Sequence, residues 1–345
     1  MRTTIQSGRT IQYPDNISFA FNREMIIVEN TNNAVEFTIS ANGKTFTDVS
    51  EPIQQKVTKD ISYYLQLLFN PITAGSLCLD VSIKISIANN DFTFNTYCLW
   101  GAISPGETFN PAQRQHSLFN GYPQTFSIFT EQPKTIYLKI DNGLFEEIGT
   151  TLQGTTIIPL HNYNPSKSLI FRFGGTLHNH INTFDYTFDY TFRLTPIKPD
   201  AEVKFNVSNC ADGIFLRWID RQGFYQYYLL QRKAKNFQTQ NNGQAVELDY
   251  FAFGKHFNNV DRQNKTETQT VSAFVALANQ DDFYTLTSLF TSPLVWAYFQ
   301  NETDEGLIEE WIPVTIAPAA IAMSAASLQD LNIEITFPQT QIQHL

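Results

Sequence analysis

The chain has 345 residues, of which 16% are charged and 14% are aromatic, and its formal net charge is -10 at pH 7. The charged fraction is well below the roughly 25% usual in soluble domains. Nucleic-acid phosphates and anionic membranes attract clustered Lys and Arg, so the acidic balance argues against both as independent partners. The length predicts two or three modules, each large enough to bury its own core.

The cysteines and the N-terminus indicate the compartment. Cys78, Cys98 and Cys210 are too few and too widely spaced for a disulfide framework. Their odd number leaves at least one free thiol, which favours a reducing compartment. Residues 1–16 contain no apolar core of the kind found in signal peptides. The sequence therefore predicts a protein that is made and kept in the cytoplasm.

The N-terminal part predicts a β module over residues 1–104 that carries one helix. The helix is expected near 59–69, where one face is apolar at i, i+3, i+4 and i+7 spacing: Ile61, Tyr64, Leu65 and Leu68. Residues 79–87 then alternate strictly between apolar and polar side chains. This period-two pattern predicts a strand with one buried and one solvated face.

The middle part, residues 105–199, predicts a β-sandwich region that is either separate or continuous with the first module. Short strands separated by turn-rich stretches are expected near 125–129, 134–140, 155–160 and 168–173. Residues 183–192 repeat TFDY and place five aromatic side chains on one strand face. That face favours packing against a second sheet, with stacking on a sugar as the alternative.

The C-terminal part, residues 200–345, predicts a third β module that follows a Pro-containing linker at 195–200. It is expected to hold an aromatic-rich hairpin over 213–235 and a helix near 280–291. The polar run 238–244 has the composition of a hairpin tip or a long loop. A duplication relating this module to the N-terminal one is left open, because their sequences share negligible identity.

The hairpin over 213–235 supplies the candidate interface. Both faces of its first strand carry large apolar side chains, so neither face is plainly a solvent face. It is either an ordinary buried hairpin or one that another subunit helps to bury, as exposed apolar faces of this size mark interaction sites. The candidate interface residues are Trp218, Phe224, Tyr225 and Tyr227.

The sequence predicts no catalytic residue, no cofactor site and no metal site. It contains no nucleophile elbow, phosphate-binding glycine loop or metalloprotease helix motif. His178 and His180 are spaced like two metal ligands on a strand, but no third ligand is recognisable. Adjacent acidic pairs do not by themselves hold two carboxyl groups across a sugar, as glycoside hydrolysis requires. The pairs are Glu146–Glu147, Asp281–Asp282 and Glu309–Glu310.

Several segments carry a family resemblance. They are LWGAISPGETFNPAQRQHSLFNGYP from Leu99, TFDYTFDYTFRL from Thr183, and ADGIFLRWIDRQGFYQYYLLQRK from Ala211. They resemble virion proteins of phages and prophages from Bacteroidetes hosts. DISYYLQLLF from Asp60 and LTSLFTSPLVWAYF from Leu286 are similar to the same group.

The resemblance implies a tail or baseplate component similar to distal tail or tube-like proteins, in which β-sandwiches bearing a helix associate into rings. The expected function is therefore a non-enzymatic structural subunit that contacts its own copies and other tail or baseplate proteins. Such a protein is made in the cytoplasm of the bacterial host and then built into the virion. The alternatives are a carbohydrate-binding or host-adhesion module, whose partner is a glycan, and a glycoside-cleaving enzyme.

Overall fold

A computed structural model describes the chain in two compact units. It describes all residues except 70–76, 105–106, 113–116, 175–200, 209–212, 242–244, 253–254, 263–264, 304–305, 319–327 and 344–345. The first unit comprises residues 1–208 and 221–225, and the second comprises 209–220 and 226–345. Strands dominate both units and each contains one short α-helix, which confirms the predicted fold class.

The first unit begins with a sandwich of two sheets. Its elements are β1 (Arg2–Gln6), β2 (Arg9–Tyr13), β3 (Ile17–Phe19), β4 (Met25–Glu29), β5 (Val35–Ala41), β6 (Lys44–Ser50), β7 (Lys56–Asp60), α1 (Ser62–Leu68), β8 (Cys78–Ile87) and β9 (Asn90–Leu99). One sheet has the order β1-β2-β4-β7 and the other has the order β3-β9-β8-β5-β6. Neighbouring strands are antiparallel, except that β3 pairs in parallel with β9.

Period-two and helical patterns explain the core of this sandwich. Alternate residues of β8 are buried, including Val81, Ile83 and Ile85, as the alternation in the sequence predicts. The helix predicted near 59–69 is confirmed as α1, which buries Leu65 and Leu68 in the same core. At the start of α1, an Asp60 carboxylate oxygen accepts a hydrogen bond from the backbone N–H of Ser62 at 3.0 Å. The helix dipole favours a negative charge at this end.

A second sandwich completes most of the first unit. Its elements are β10 (Ser117–Phe119), β11 (Thr125–Thr130), β12 (Thr135–Ile140), β13 (Glu146–Thr150), β14 (Gly154–Pro159), a 3₁₀ turn (Leu160–Asn162), β15 (Ser168–Phe173) and β16 (Ala201–Ser208). The sheets have the orders β11-β14 and β10-β16-β15-β12-β13. Clustered Phe126, Phe171 and Phe205 rings fill the core between them.

The two sandwiches share one topology. The order β3-β9-β8-β5-β6 corresponds strand by strand to β10-β16-β15-β12-β13, and the pair β4-β7 corresponds to β11-β14. The parallel pairing recurs as well, because β10 runs parallel to β16 as β3 does to β9. The second sandwich has a 3₁₀ turn in place of α1. The same order of strand connections thus occurs twice in the first unit.

The second unit is a β-barrel with one helix and a long hairpin. Its elements are β17 (Ile214–Ile219), β18 (Tyr225–Asn241), β19 (Ala245–Ala252), β20 (Lys255–Arg262), β21 (Lys265–Asn279), α2 (Gln280–Thr287), a 3₁₀ turn (Ser288–Thr291), β22 (Val295–Thr303), β23 (Gly306–Ile316), β24 (Leu328–Thr336) and β25 (Thr340–Gln343). The sheet order is β18-β17-β22-β23-β24-β21-β25. Pairing of β18 with β21 closes the six strands from β18 to β21 into a barrel.

The helix of this barrel was predicted correctly, whereas one predicted strand falls outside the described residues. The expected helix near 280–291 is α2 followed by its 3₁₀ turn, and Phe283, Leu286 and Leu289 are buried in the barrel core. The aromatic strand predicted over 183–192 and the His178–His180 pair lie outside the described residues. The predicted domain boundaries stay predictions; β16, which starts just after the expected boundary at 199, pairs within the second sandwich.

Candidate assembly site

A long ladder of paired strands at the end of the barrel wall is the main candidate for contact with another molecule. Strands β18 and β21 pair from Gln231 opposite Phe274 to Asn241 opposite Lys265. Strands β19 and β20 continue in nearly the same register, from Ala245 opposite Arg262 to Ala252 opposite Lys255. We call residues 231–252 and 255–274 together the ribbon.

Within the part of the chain that the structure describes, the ribbon has strand edges that no other strand covers. Residues 231–240 of β18 are all exposed. Strand β17 pairs with the start of β18. It begins next to Gly213, and the Cα of Gly213 lies beside the carbonyl of Leu230, the residue before the ribbon. Within the described residues, β19 and β20 pair only with each other. Each has 8 residues, which corresponds to about 27 Å of two-stranded structure at roughly 3.4 Å per residue. Two-stranded hairpins are marginally stable in water, so such a ribbon favours a third strand from elsewhere.

The side chains on the exposed part of β18 favour pairing with a specific partner over indiscriminate pairing. Arg232, Lys233 and Lys235 place positive charge on this stretch of an acidic protein. Charged residues on an edge strand, Lys above all, oppose indiscriminate pairing with other chains. Phe237 is 56% exposed, and the Lys235 ammonium lies 4.7 Å from the centre of its ring. An exposed aromatic ring on a charged edge provides an anchor for a specific partner.

The structure buries two of the predicted interface residues in the second unit. Trp218 has 0% exposure, and its indole N–H donates to the Ser288 hydroxyl at 2.8 Å. Tyr227 points to the opposite face of the barrel wall, where its ring stacks on Phe215 at 5.9 Å and meets Trp311 edge to face at 6.3 Å. Both side chains therefore pack within one copy of the chain. Their role between subunits stays a prediction.

The other two predicted residues are buried in the first unit. Phe224 joins Phe19, Leu99 and Phe129 in a hydrophobic cluster. Tyr225 is 8% exposed. The sequence pattern correctly indicated that the hairpin is covered on both faces, and one chain provides cover for all four side chains. Their assignment to an interface between subunits likewise stays a prediction.

Hydrogen bonds fix the turn 221–225 within the first unit. The Gln222 side-chain oxygen accepts from the backbone N–H of Asn110 at 2.9 Å, and its amide nitrogen donates to the Glu107 carboxylate at 3.0 Å. The Arg221 guanidinium donates to the Ser104 hydroxyl. No other part of residues 209–345 belongs to the first unit. A polar turn thus supplies hydrogen bonds to residues 104–110, which are more than a hundred residues earlier in the chain. It also supplies one aromatic ring to the first unit.

An arginine lies between two tryptophans on the outer face of the barrel wall. The Arg217 guanidinium carbon is 4.3 Å from the centre of the Trp311 ring and 4.7 Å from that of Trp296. Strand pairing explains this geometry, because Arg217 of β17 is directly opposite Trp296 of β22. Cation–π contacts are worth about 0.5–1 kcal/mol at exposed sites and about 2 kcal/mol when desolvated.

We expect Arg217→Met to lower the free energy of unfolding of the second unit by about 1–2 kcal/mol. The methionine keeps much of the aliphatic packing and loses the planar cation between Trp296 and Trp311. Arg217→Lys keeps the charge without the planar stack, so its free energy of unfolding should lie between those of Arg217→Met and the wild type. Urea unfolding followed by tryptophan fluorescence measures both changes. Equal stability of Arg217→Met and the wild type would contradict a stabilising stack.

The cysteines and the acidic pairs are the first candidates for chemistry. Burial raises the pKa of the Cys78 thiol to about 11 and also raises that of Cys98, so both free thiols stay protonated at neutral pH. Among the described residues, no three His, Cys, Asp or Glu side chains are grouped as metal ligands. Glu146, Glu147, Glu309 and Glu310 are exposed. No described helix is both long and apolar enough to cross a membrane.

Comparisons with known proteins give little. No protein-family model matches the chain, and no curated protein matches it. One similar solved structure is the tail of an empty GTA particle: it is 11% identical with a TM-score of 0.21, and the match covers 39% of this chain and 100% of that one. Another is the CupB2 chaperone of Pseudomonas aeruginosa: it is 12% identical with a TM-score of 0.18, and the match covers 47% of this chain and 92% of that one. Likenesses with such low TM-scores carry no argument about function.

Proposed function

We propose that this chain is a non-enzymatic structural subunit of a phage or prophage tail or baseplate that works through contacts with its own copies and with neighbouring tail proteins. The observation that carries the proposal is the ribbon, with a β18 edge over 231–240 that is exposed and that no described strand covers, and with its two-stranded β19–β20 part. The sequence resemblance to phage virion proteins of Bacteroidetes hosts gives the setting. The proposed location is the bacterial cytoplasm during synthesis and the tail of the virion thereafter.

Edge pairing is the physical basis of the proposed contact. A free strand edge presents a row of backbone N–H and C=O groups that another chain satisfies by adding a strand. The β18 edge over 231–240 offers such a row, and its exposed Phe237 gives the contact an apolar anchor. Pairing of this kind repeated in one direction around an axis closes a ring, which is the arrangement that the proposal expects.

Removing the β19–β20 part of the ribbon tests the proposal directly. We expect the full-length protein to form ring-like oligomers as its concentration rises, visible by analytical ultracentrifugation and negative-stain electron microscopy. Replacing residues 242–264 by Asn-Gly closes a short hairpin where Asn241 faces Lys265. This variant should keep the barrel, because the barrel strands remain paired. It should associate more weakly than the wild type, because it retains the β18 edge and loses the β19–β20 strands.

Two point substitutions separate the ribbon from general surface effects. Phe237→Glu places a charge on the β18 edge and should weaken association at least about tenfold, the loss expected for an aromatic anchor worth more than 1 kcal/mol. Ile5→Glu makes the same kind of change at a 75% exposed side chain of β1 and should leave association unchanged. A wild type that stays monomeric at every concentration would argue against the proposal, as would association that neither Phe237→Glu nor loss of the β19–β20 strands weakens.

The setting in a virion has its own test. Mass spectrometry of phage-like particles induced from the source bacterium should find the protein in tail fractions, and antibody labelling should place it on the tail. A glycan array examines the host-adhesion alternative, which predicts tight binding to a defined glycan by the isolated protein. Glycan binding together with absence from tail fractions would replace the proposed function by that alternative.

A further inference from the structure

The two sandwiches of the first unit share a corner that is built from equivalent residues. In the first, the Glu24 side chain folds back and its Oε1 atom accepts a hydrogen bond from the backbone N–H of Phe19 at 3.2 Å. In the second, the Gln124 side chain does the same with the backbone N–H of Phe119 at 3.1 Å. Each bond joins the end of the parallel-paired strand, β3 or β10, to the start of the next strand.

Backbone contacts confirm that the two side chains are equivalent. The carbonyl oxygen of Glu24 accepts from the N–H of Ile61 at 2.9 Å, and that of Gln124 accepts from the N–H of Leu160 at 2.8 Å. Ile61 and Leu160 are both fully buried, and each follows the strand paired with β4 or β11. The residue at 24 or 124 therefore holds together three segments of its own sandwich.

The two corners differ in hydrogen-bonding capacity. Gln124 is fully buried, and its side-chain nitrogen donates a second hydrogen bond to the Ser117 carbonyl at 2.7 Å. An ionised carboxylate has acceptors only, whereas a protonated one has an O–H donor as well. Glu24 therefore matches the glutamine of the second sandwich in its protonated form and has no equivalent donor when ionised.

We propose that Glu24 is a proton-controlled latch of the first sandwich: it carries a proton in the closed corner, and loss of that proton at higher pH loosens the junction of β3, β4 and the start of α1. Gln124 is a permanently closed counterpart of the same latch in the second sandwich. This inference concerns the first sandwich alone and is independent of the proposed function.

The surroundings of Glu24 favour the protonated form. Burial raises its pKa to about 7, and the negative charges of Asp15 and Asp60 act in the same direction. The Phe19 N–H and the N-terminal ammonium oppose the rise. Asp60 is itself bridged to Arg23 at 3.3 Å. The Cys98 thiol, which also senses Glu24, stays neutral because burial raises its pKa.

The sign of the pH effect follows from these groups. The folded pKa of Glu24 is about 7, which is above the ordinary value of 4.5, so the folded state holds the proton more tightly than the unfolded state. Stability linked to this proton is fully present below pH 4.5 and is lost as pH rises through about 7. The closed corner thus belongs to acidic and neutral conditions, and the loosened one to alkaline conditions.

Infrared titration of the full-length protein measures the proton itself. Between pH 5 and pH 8.5, the wild type should lose a protonated-carboxyl band with a midpoint near pH 7. Glu24→Gln should lack this change, because glutamine does not titrate. A wild type without any carboxyl that titrates above pH 6 would overturn the proposal regardless of how the variants fold.

Hydrogen exchange read by mass spectrometry locates the loosening, and the reciprocal substitution is its matched control. After correction for intrinsic rates, protection of residues 17–29 in the wild type should fall at least about tenfold from pH 5.5 to pH 8.5. In Glu24→Gln, that protection should stay constant. Gln124→Glu should transfer the loss to residues 117–130 while leaving residues 17–29 as in the wild type.

The two swaps together decide between a latch and a passive contact. A wild-type loss of protection that persists unchanged in Glu24→Gln would overturn the proposal, because some other group would then cause it. Equal protection of residues 17–29 at both pH values in the wild type would overturn it as well.

Discussion

Gly101→Ala is expected to destabilise the first unit by about 3 kcal/mol, at the upper end of the range for overpacking substitutions. A methyl group on Gly101 would overlap the carbonyl oxygen of Arg221 and lie 2.7 Å from the carbonyl carbon of Gln222. These atoms belong to the backbone, which cannot rotate away as the end of a side chain can. The turn 221–225 would therefore have to leave its place, and the hydrogen bonds of Gln222 to Asn110 and Glu107 would break.

Thermal unfolding and limited proteolysis of the full-length protein measure this loss. The variant should unfold at lower temperature and expose its 100–110 segment to protease. Gly223 and Gly121 provide a matched comparison, because both have positive φ values, +86° and +83°. Alanine at Gly121 meets open space, whereas alanine at Gly223 would lie 3.1 Å from the Trp100 carbonyl oxygen. Gly223→Ala should therefore cost more than Gly121→Ala, and equal costs would contradict close packing of the turn.

Trp218→Ala is expected to lower the free energy of unfolding of the second unit by about 4 kcal/mol, within the range for removing a large aromatic side chain from a core. Trp218 is among the largest fully buried side chains, and it packs in one cluster with Leu216, Leu286 and Val295. Its removal also leaves the Ser288 hydroxyl without the indole donor. Urea unfolding at low protein concentration, where association is absent, isolates the effect on the single chain.

Ser288→Ala is the control for the hydrogen bond alone and should cost about 1 kcal/mol. The pair of variants also tests the predicted interface role of Trp218. A residue that acts between subunits would leave the unfolding of the dilute chain unchanged and weaken association instead. If Trp218→Ala leaves unfolding unchanged and weakens association, the main contribution of Trp218 is to the contact between subunits and not to the core of the single chain.

Periodic burial is the part of the fold that the sequence predicted well. Strand β8 alternates buried and partly buried side chains, and α1 and α2 have apolar stripes at helical spacing. Both kinds of element can therefore be predicted from the local sequence. The hairpin of β17 and β18 was readable for the same reason, as its aromatic residues are buried. Local patterns succeed where one face or both faces of an element are in a core.

Residues 231–240 of the ribbon escaped prediction because they have no buried face to impose a period. Residues 231–240 are exposed on both sides, so polar residues occupy consecutive positions of a strand. The run 238–244 was expected to be a hairpin tip or a loop, and this was wrong for residues 238–241, which belong to β18 and pair with β21. A polar composition indicates solvent contact, and it does not distinguish a loop from a two-stranded ribbon.

The shared topology of the two sandwiches escaped prediction for a different reason. The hypothesis of duplication compared the N-terminal module with the C-terminal one, whereas the matching strand orders lie within the first unit. The acceptor side chains of the shared corner, Glu24 and Gln124, keep the hydrogen-bond geometry and differ in identity, while both backbone donors belong to phenylalanines. Backbone pairing of this kind leaves no signal in a single sequence.

The turn 221–225 has a consequence for synthesis on the ribosome. Phe224 covers a cluster whose other buried members, Phe19, Leu99 and Phe129, are translated roughly a hundred residues or more before it. Domains of a nascent chain generally fold in order as they emerge. Here the cluster lacks its Phe224 ring until the first strand of the later unit has emerged. Ribosome-bound chains that end at Ser208 should therefore bind chaperones that recognise apolar surface, and chains extended past Tyr225 should release them.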